Sequence, residues 1–474
     1  MIELKNLTLK EARLKLKQKE FSAVDLAKAY LDVIQANNQR LNVFLEVYDD
    51  VLKQAEAADE KIQRGEDLPL LGIPVALKDN ILVKGKRATS GSKILEGFVA
   101  PYDSTLVKKL KDAGAVLIGR TNMDEFAMGS STENSAFGIT RNPVDEERVP
   151  GGSSGGSAAS VAGDMSLVSF GSDTGGSVRE PAAFCGLVGL KPTYGGISRH
   201  GLMAMGSSLD IIGPFTKTVT DSEILFDVVQ GKDSMDSTTF DESTYVKKPL
   251  KEKMVLGVPY HLFKNGGLEK DAEEVFNQSI EKLKNIGYEI KEINLPNISY
   301  SLAVYYILMP AEVSSNLARF DGVRFGLHVE GKNLLEDYMK TKGTGFGKEV
   351  RRRILMGTYV LSSGYHDAYY NKALLLRQKI SDEINEVFKE VDLIVTPTTP
   401  GPAFKIGEKS NDPLALYVQD IFTVPANIVG IPAISIPSGF VEVEGKQLPL
   451  GIQFMAPHNN EHLFFEVGKK FRGE

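Results

Sequence analysis

The chain has 474 residues, 42% of them hydrophobic, and its 55 basic and 62 acidic residues give a formal net charge of −7. This composition allows a large core and argues against a protein that grips nucleic acid alone, because phosphate binding needs clustered Lys and Arg. The single cysteine, Cys185, excludes an internal disulfide and is expected to pack as a small apolar residue. The six scattered histidines predict no protein-bound metal.

The first 60 residues predict helices. The pair Thr8 and Glu11 is typical of a capping box, and Ser22 is expected to cap a second helix whose apolar residues recur at helical spacing. The N-terminal sequence lacks the apolar segment of a signal peptide, and no apolar run approaches the ~20 residues of a membrane span. We therefore expect a cytoplasmic protein that does not enter a membrane.

Residues 71–220 alternate short apolar runs with helix-like stretches and glycine turns, which predicts an α/β sheet. Strands are predicted there at 73–77, 116–118 and 167–170. The sequence from about 221 to 390 is more charged and predicts helices, apart from one strand at 255–258.

Strand patterns return near the C-terminus, at 392–395, 434–436 and 450–454, and a final helix is predicted from about Glu461. Because strands return after the helical stretch, we predict one domain over 1–474 rather than two. Its parts are a core at about 71–220, a helical insertion at about 260–390, and C-terminal strands and a helix over 391–474. Residues 400–413, rich in glycine, proline and charge, predict a surface loop or a lid.

Three residues predict an activated nucleophile that works without histidine: Lys78, Ser153 and Ser177. A serine hydroxyl is a weak nucleophile until a base accepts its proton, and lysine can be that base only when burial keeps it neutral. Lys78 follows the apolar run 75–77, so we expect it at the end of a buried strand. The spacing indicates a relay in which Lys78 deprotonates Ser153, Ser153 deprotonates Ser177, and Ser177 attacks an amide carbon.

The glycines beside Ser177 predict an oxyanion hole. Thr174, Gly175 and Gly176 can direct several backbone N–H groups at one point beside the nucleophile. A side chain on either glycine is expected to block the substrate or to forbid the backbone angles.

Each piece alone also has a simpler interpretation. The Gly/Ser cluster at 151–157 is typical of a flexible linker, and Lys78 is typical of a surface residue before a turn. The pattern Gly151-x-Ser153-x-Gly155 also matches the nucleophile elbow of α/β-hydrolases, but that elbow needs a strand before the serine and residues 149–152 are a poor strand.

Together these motifs resemble the amidase signature family. The matching segments are Leu77 to Asp79, Pro150 to Ala159, Asp173 to Arg179 and Cys185 to Thr193. The resemblance implies an α/β fold with a single large mixed β-sheet core surrounded by helices. It also implies that Lys78 is the base, Ser153 the bridging serine and Ser177 the nucleophile, with a cis peptide bond between Gly152 and Ser153.

Three further segments, 123–134, 316–322 and 349–370, resemble the A subunits of bacterial aspartyl/glutamyl-tRNA amidotransferases. This resemblance implies that glutamine is the amide donor and that ammonia passes to a partner subunit, which amidates Glu-tRNA(Gln) or Asp-tRNA(Asn). It implies a heterotrimer completed by the B and C subunits. No cofactor is expected in this chain; ATP and Mg²⁺ are expected on the partner subunit, which also holds most of the charged tRNA.

Glutamine is a zwitterion, so its site needs one positive and one negative group. The resemblance assigns these roles to Arg353 and Asp420, and assigns a tyrosine contact to Tyr305 or Tyr306, of which we favour Tyr305. A guanidinium can hold a carboxylate with two parallel hydrogen bonds. Without the resemblance, Arg353 is one of a basic run typical of a solvated helix face, and Asp420 is an ordinary polar residue of an amphipathic helix.

Two other functions use the same residues. A free-standing amidase acting on another small amide would need the same Lys78, Ser153 and Ser177 but neither charged group. A scaffold subunit whose own chemistry is dispensable would need none of them, and the presence of all three argues against it.

Overall fold

A single mixed sheet forms the centre of the computed structural model, which describes residues 2–263, 267–409 and 412–474. Within these residues the sheet has eleven strands in the order β1-β3-β2-β4-β6-β5-β10-β11-β9-β7-β8. The strands are β1 (Phe44–Val47), β2 (Pro74–Lys78), β3 (Val116–Thr121), β4 (Val168–Asp173), β5 (Val188–Lys191), β6 (Ile211–Thr216), β7 (Val255–Val258), β8 (Glu289–Glu292), β9 (Leu393–Pro397), β10 (Ala433–Val443) and β11 (Lys446–Met455). The predicted α/β fold with one large mixed sheet is confirmed.

Helices cover the sheet. They are α1 (Leu9–Gln18), α2 (Ala23–Leu41), α3 (Val51–Gln63), α4 (Thr105–Asp112), α5 (Gly155–Ala162), α6 (Arg179–Cys185), α7 (Val219–Val229), α8 (Lys270–Ile286), α9 (Ser301–Asn316), α10 (Leu334–Gly345), α11 (Lys348–Leu361), α12 (Lys372–Val387), α13 (Pro413–Tyr417), α14 (Val424–Val429) and α15 (Glu461–Arg472). Thr8 and Ser22 form the predicted capping boxes of α1 and α2. In the described part of the chain, no helix combines the length and apolarity that a bilayer crossing requires.

The sheet brings the two predicted glycine motifs and Lys78 to one edge. Strand β2 runs parallel to both β3 and β4, with Leu77 opposite Phe170. Parallel neighbours end at the same edge of a sheet, so Lys78 at the end of β2 and the turn after β4 meet there. Strands β2 and β4 are buried along their whole length, so the carboxyl ends of these two strands lie inside the protein.

Two apolar clusters hold the helices to the sheet. The larger packs α1, α2, α3, α7, α8 and α15 against the strands, and the second packs α9, α12 and α14 beside β9 and β10. The hairpin β10–β11 lies between β5 and β9 and so connects the strands of the first half of the chain to β7, β8 and β9. The C-terminal strands and the final helix lie where the sequence predicts them.

Four strands of the structure, β1, β5, β6 and β8, are not among those that the sequence predicts. Strand β1 interrupts the predicted N-terminal helices, and β8 lies inside the predicted helical insertion. Both are four-residue strands at the outer edges of the sheet, and β8 exposes its two glutamates. Strands of four residues cover only two periods of an alternating pattern, so the sequence gives little signal for them.

The predicted loop over 400–413 is attached to the segment before Ser153. Val149 N–H donates to the Phe404 carbonyl at 3.1 Å, and Ile406 N–H donates to the Glu147 carbonyl at 2.9 Å. Residues 410–411 of this loop lie outside the described residues.

Candidate active site

Lys78 is fully buried at the end of β2 and contacts Ser153 directly. Its Nζ lies 2.7 Å from Ser153 Oγ, 2.8 Å from Ser154 Oγ and 2.9 Å from Ser172 Oγ. Burial lowers the pKa of Lys78 to about 7, although the carboxylate of Asp124 opposes the shift. Its interpretation as a surface residue is therefore wrong, and its lowered pKa makes the neutral amine, the form that can accept a proton, accessible near neutral pH.

Ser153 lies in an irregular, buried segment just before α5. The peptide bond between Gly152 and Ser153 is cis, as the family resemblance implies. The linker interpretation is wrong, because residues 149–161 are buried. No strand immediately precedes Ser153 in this described segment, so the nucleophile-elbow interpretation does not apply.

Ser177 occupies the turn between β4 and α6 and is the most accessible of the three predicted catalytic residues. It is 8% exposed, whereas Lys78 and Ser153 are at 0%. Its carbonyl accepts a hydrogen bond from Ser154 N–H at 3.2 Å, which holds the two serine segments side by side. Within the described residues no hydrogen bond joins the Ser153 and Ser177 hydroxyls. The structure thus brings Lys78 and Ser153 into contact and sets Ser177 beside them.

Of the three residues predicted to donate to an oxyanion, Gly176 differs from Thr174 and Gly175. Gly176 N–H is already engaged, because it donates to Asp173 Oδ1 at 2.9 Å. The N–H groups of Thr174, Gly175 and Ser177 donate no hydrogen bond to any described residue. These three groups are therefore the free donors beside the nucleophile, and Gly176 contributes the shape of the turn.

A buried ion pair fixes this turn. Arg179 donates to both carboxylate oxygens of Asp173, from Nε at 3.0 Å and from Nη2 at 2.9 Å. Its Nη1 donates to Gln453 Oε1 at 2.6 Å and to the Thr423 carbonyl at 2.8 Å. Although burial alone would raise the pKa of Asp173, the charge and hydrogen bonds of Arg179 lower it to about 2. Sequence reasoning assigned no role to this pair.

Replacing Gly176 with alanine is expected to destabilise the turn and to lower activity. Gly176 has a φ of +144°, and an added Cβ would lie 2.8 Å from Thr423 Cβ. Strained backbone and overpacking together cost about 2–4 kcal/mol. Gly65→Ala is the matched control, since Gly65 has a φ of +81° with no atom within 4 Å of an added Cβ. Urea denaturation of both variants measures the difference; equal losses of stability would contradict the predicted clash.

Arg353 lies on the inner face of α11 and is only 3% exposed. Its Nε donates to Glu349 Oε1 at 2.8 Å, and its guanidinium carbon lies 5.4 Å and 5.3 Å from the ring centroids of Tyr306 and Tyr417. The solvated-face interpretation of the basic run therefore fails for Arg353, although it describes the exposed Arg351.

Asp420 is buried in a short 3-10 helix, Val418–Asp420, that follows α13. Its Oδ2 accepts a hydrogen bond from Ser130 Oγ at 3.1 Å, and its Oδ1 would lie 3.3 Å from a Cβ added at Gly176. Burial raises the pKa of Asp420 to about 7, although the Ser130 hydrogen bond and the Arg353 charge oppose the shift. Asp420 therefore lies beside the turn that carries Ser177.

Tyr305, and not Tyr306, contacts that turn. A Cβ added at Gly175 would lie 2.8 Å from Tyr305 Cζ. Tyr306 instead stacks on Tyr417 with ring centroids 3.9 Å apart, and its buried hydroxyl has no hydrogen-bond partner among the described residues. The turn is thus bordered by a carboxyl group and a phenol, and the Arg353 guanidinium lies against the rings of Tyr306 and Tyr417.

Comparisons with known proteins show relatives that match nearly the whole chain. A family model described as Amidase matches residues 25–465. The A subunit of the glutamyl-tRNA(Gln) amidotransferase from Carboxydothermus hydrogenoformans is 50% identical over 478 residues, covering 99% of this chain and 97% of the relative. The corresponding A subunit from Desulfatibacillum aliphaticivorans is 49% identical, with 99% and 97% covered.

Solved structures extend the likeness. The crystal structure of the glutamyl-tRNA(Gln) amidotransferase A subunit from Thermotoga maritima is 43% identical, has a TM-score of 0.78, and covers 100% of this chain and 94% of that one. A 6-aminohexanoate cyclic dimer hydrolase complexed with substrate is 25% identical, has a TM-score of 0.82, and covers 100% and 97%. The chain therefore belongs to the amidase family, and within it is similar along its whole length to the A subunits of glutamyl-tRNA(Gln) amidotransferases.

Proposed function

We propose that this chain is the glutamine-hydrolysing subunit of a tRNA-dependent amidotransferase. The observation that carries the proposal is the buried Lys78, whose amine lies 2.7 Å from Ser153 and has a pKa of about 7. A lysine in this state can accept a proton from a serine, as Ser-Lys variants of nucleophilic catalysis require. Similarity over the whole chain to the A subunits of known amidotransferases supports the choice of reaction.

The reaction begins with proton transfer. Lys78 accepts the proton of Ser153, Ser153 accepts that of Ser177, and Ser177 Oγ bonds to the carboxamide carbon of glutamine. The N–H groups of Thr174, Gly175 and Ser177 stabilise the oxyanion. As the intermediate collapses, the C–N bond breaks and ammonia leaves with a proton delivered through Ser153. Water then hydrolyses the glutamyl ester and restores the Ser177 hydroxyl.

Three side chains select glutamine. Arg353 binds the α-carboxylate, Asp420 receives the α-ammonium, and Tyr305 packs along the substrate beside Gly175. An ammonium group next to Asp420 favours the ionised carboxylate, so substrate binding offsets the cost of ionising a buried acid.

The ammonia serves a second reaction on a partner. We propose a heterotrimer with the B and C subunits, in which the partner subunit binds ATP, Mg²⁺ and most of the charged tRNA in the cytoplasm. The acceptor is Glu-tRNA(Gln), with Asp-tRNA(Asn) as the second candidate. The net charge of −7 supports this division, because it disfavours binding of tRNA by this chain alone.

Ammonia release from L-glutamine and from a panel of uncharged amides tests the proposal in the assembled complex, with wild type compared to Ser177→Ala. Relative to the uncharged amides, we expect release that depends on Ser177 and is confined to glutamine, or to glutamine and asparagine. A Ser177→Ala variant that still hydrolysed glutamine would contradict the mechanism.

A free-standing amidase is the second candidate function. The 6-aminohexanoate cyclic dimer hydrolase, 25% identical with a TM-score of 0.82, supports it to the extent that the same fold serves a hydrolase with a different substrate. Release of ammonia from the uncharged amides, with glutamine ignored, would support this candidate and would remove the proposed roles of Arg353 and Asp420.

A further inference from the structure

We infer that Glu349 is a positioning residue for glutamine binding: with Tyr417 it holds one edge of the Arg353 guanidinium and so leaves the other edge for the substrate carboxylate. This inference rests on the proposed function, because it assumes that Arg353 binds the α-carboxylate. It concerns a residue beside the basic run for which the sequence indicated no role.

Glu349 engages the Nε edge of the guanidinium. Its Oε1 accepts from Arg353 Nε at 2.8 Å and from the Tyr417 hydroxyl at 3.0 Å, while its Oε2 accepts from Arg352 Nη1. Glu349 and Arg353 are four residues apart on α11, so they lie on the same face of the helix. Three donors on two oxygens orient the carboxylate, and its hydrogen bond to Nε restrains the guanidinium plane.

One terminal nitrogen of the guanidinium, Nη1, contacts Met309, a residue close to the nucleophile turn. Arg353 Nη1 lies 3.6 Å from Met309 Sδ, which is a weak acceptor. Met309 and Thr174 both flank Gly206, where an added Cβ would lie 3.8 Å from Met309 Cγ and 3.5 Å from Thr174 Cγ2. Within the described residues, Nη2 donates no hydrogen bond. A planar guanidinium held by Nε can therefore present Nη1 and Nη2 as a pair to a carboxylate.

Electrostatics favour the same role. Burial alone would raise the pKa of Glu349, but the charge and hydrogen bond of Arg353 lower it, so the carboxylate remains ionised beside the guanidinium. A buried arginine without a partner is strongly destabilising in an empty site. Glu349 supplies that partner at Nε and leaves Nη1 and Nη2 for the substrate carboxylate.

Two substrates separate positioning from general structure. L-Glutamine carries the α-carboxylate, whereas 4-aminobutanamide keeps the amine and the carboxamide but has no carboxylate. In the assembled complex, we expect Glu349→Ala to raise KM for glutamine about tenfold or more, which corresponds to one lost charge-assisted contact, while kcat changes less than about threefold. The kcat/KM for 4-aminobutanamide is expected to stay unchanged, which also shows that the variant is folded.

Glu349→Gln keeps an oxygen acceptor for Arg353 Nε, so we expect it to restore KM for glutamine to within about threefold of wild type. Glu466→Ala is the matched control, because Glu466 forms an ion pair with Lys470 at the same helical spacing, 3.0 Å apart on α15. This control is expected to leave both substrates unaffected.

Arg353→Ala, measured in parallel, separates the inference from the proposed function. If Arg353→Ala impairs glutamine alone but Glu349→Ala does not, the inference is overturned and the proposed function stands. If Arg353→Ala affects both substrates equally, the proposed carboxylate site is wrong and the inference falls with it. A Glu349→Ala variant with a lower KM for glutamine, or with equal losses on both substrates, would also overturn the inference.

Discussion

Replacing Lys78 with methionine is expected to lower kcat/KM for glutamine by about 10²–10⁴-fold, the usual contribution of a general base. Methionine fills a similar volume but cannot accept a proton. Wild-type kcat/KM is expected to fall as the pH drops below about 7, because the pKa of Lys78 is about 7 and only its neutral form is a base. Steady-state hydrolysis measured across this pH range checks both statements. A Lys78→Met variant within tenfold of wild type would contradict the role.

Two variants control for burial and charge. Lys78→Arg stays protonated at every accessible pH, so we expect it to be as inactive as Lys78→Met. Lys191→Met removes another fully buried lysine, which also has its pKa lowered to about 7 by burial but donates to the Pro192 carbonyl at 3.0 Å. This variant is expected to retain the fall in activity below pH 7. If Lys191→Met no longer lost activity below pH 7, the titrating group would be Lys191, and the assignment to Lys78 would be wrong.

The same pKa has a consequence for stability. Lys78 has a folded pKa of about 7 and an ordinary value of 10.5, so between these values the unfolded chain binds a proton that the folded chain does not. The free energy of unfolding of wild type, relative to Lys78→Met, is therefore expected to rise with pH across this window. Urea denaturation of both proteins at several pH values measures how the free energy of unfolding changes with pH.

Arg179→Met is expected to lower the free energy of unfolding by about 3–5 kcal/mol, because it leaves the fully buried Asp173 carboxylate without its partner. The turn that carries Ser177 also loses its hydrogen bonds to the Thr423 carbonyl and Gln453, so glutamine hydrolysis is expected to fall as well. Urea denaturation measures the first effect and ammonia release the second.

The double variant Asp173→Asn, Arg179→Met provides the control for uncompensated charge. It removes both ions, so we expect it to lose less stability than the sum of the single variants.

In wild type, the lowered pKa of Asp173 contributes stability that is present above its ordinary value of 3.8 and is lost as pH falls through about 2. Arg179→Met is expected to lose that dependence. If Arg179→Met lowered the free energy of unfolding by less than about 1 kcal/mol, the structural role of the ion pair would be contradicted.

The burial of Lys78 and its position beside the two serine segments could be predicted because the signals are local. Ser153 and Ser177 each lie in a glycine-rich segment and Lys78 ends an apolar run, and these three signals indicate a common site only when they are taken together. The partners of Arg179 could not be predicted, since Thr423 and Gln453 lie 244 and 274 positions further along the chain. No pattern in a single sequence indicates which distant polar residues meet a buried arginine.

Prediction from the sequence is also limited where neighbouring residues are of the same or similar type. Tyr305 and Tyr306 are identical in type, and only the packing of α9 decides which ring reaches Gly175. Gly176 fits the expected pattern of an oxyanion donor, yet a carboxylate three residues earlier takes its N–H. Glu349 resembles any acid of an amphipathic helix until the burial of Arg353 is known.

The position of the β10–β11 hairpin has a consequence for biosynthesis. These two strands are made last, yet they fill the gap between β5 and β9 in the middle of the sheet. Until residues 433–455 have left the ribosome, the nascent chain carries two unpaired strand edges, and such edges pair readily with other chains. A protein shortened before residue 433 is therefore an aggregation-prone fragment rather than a smaller enzyme.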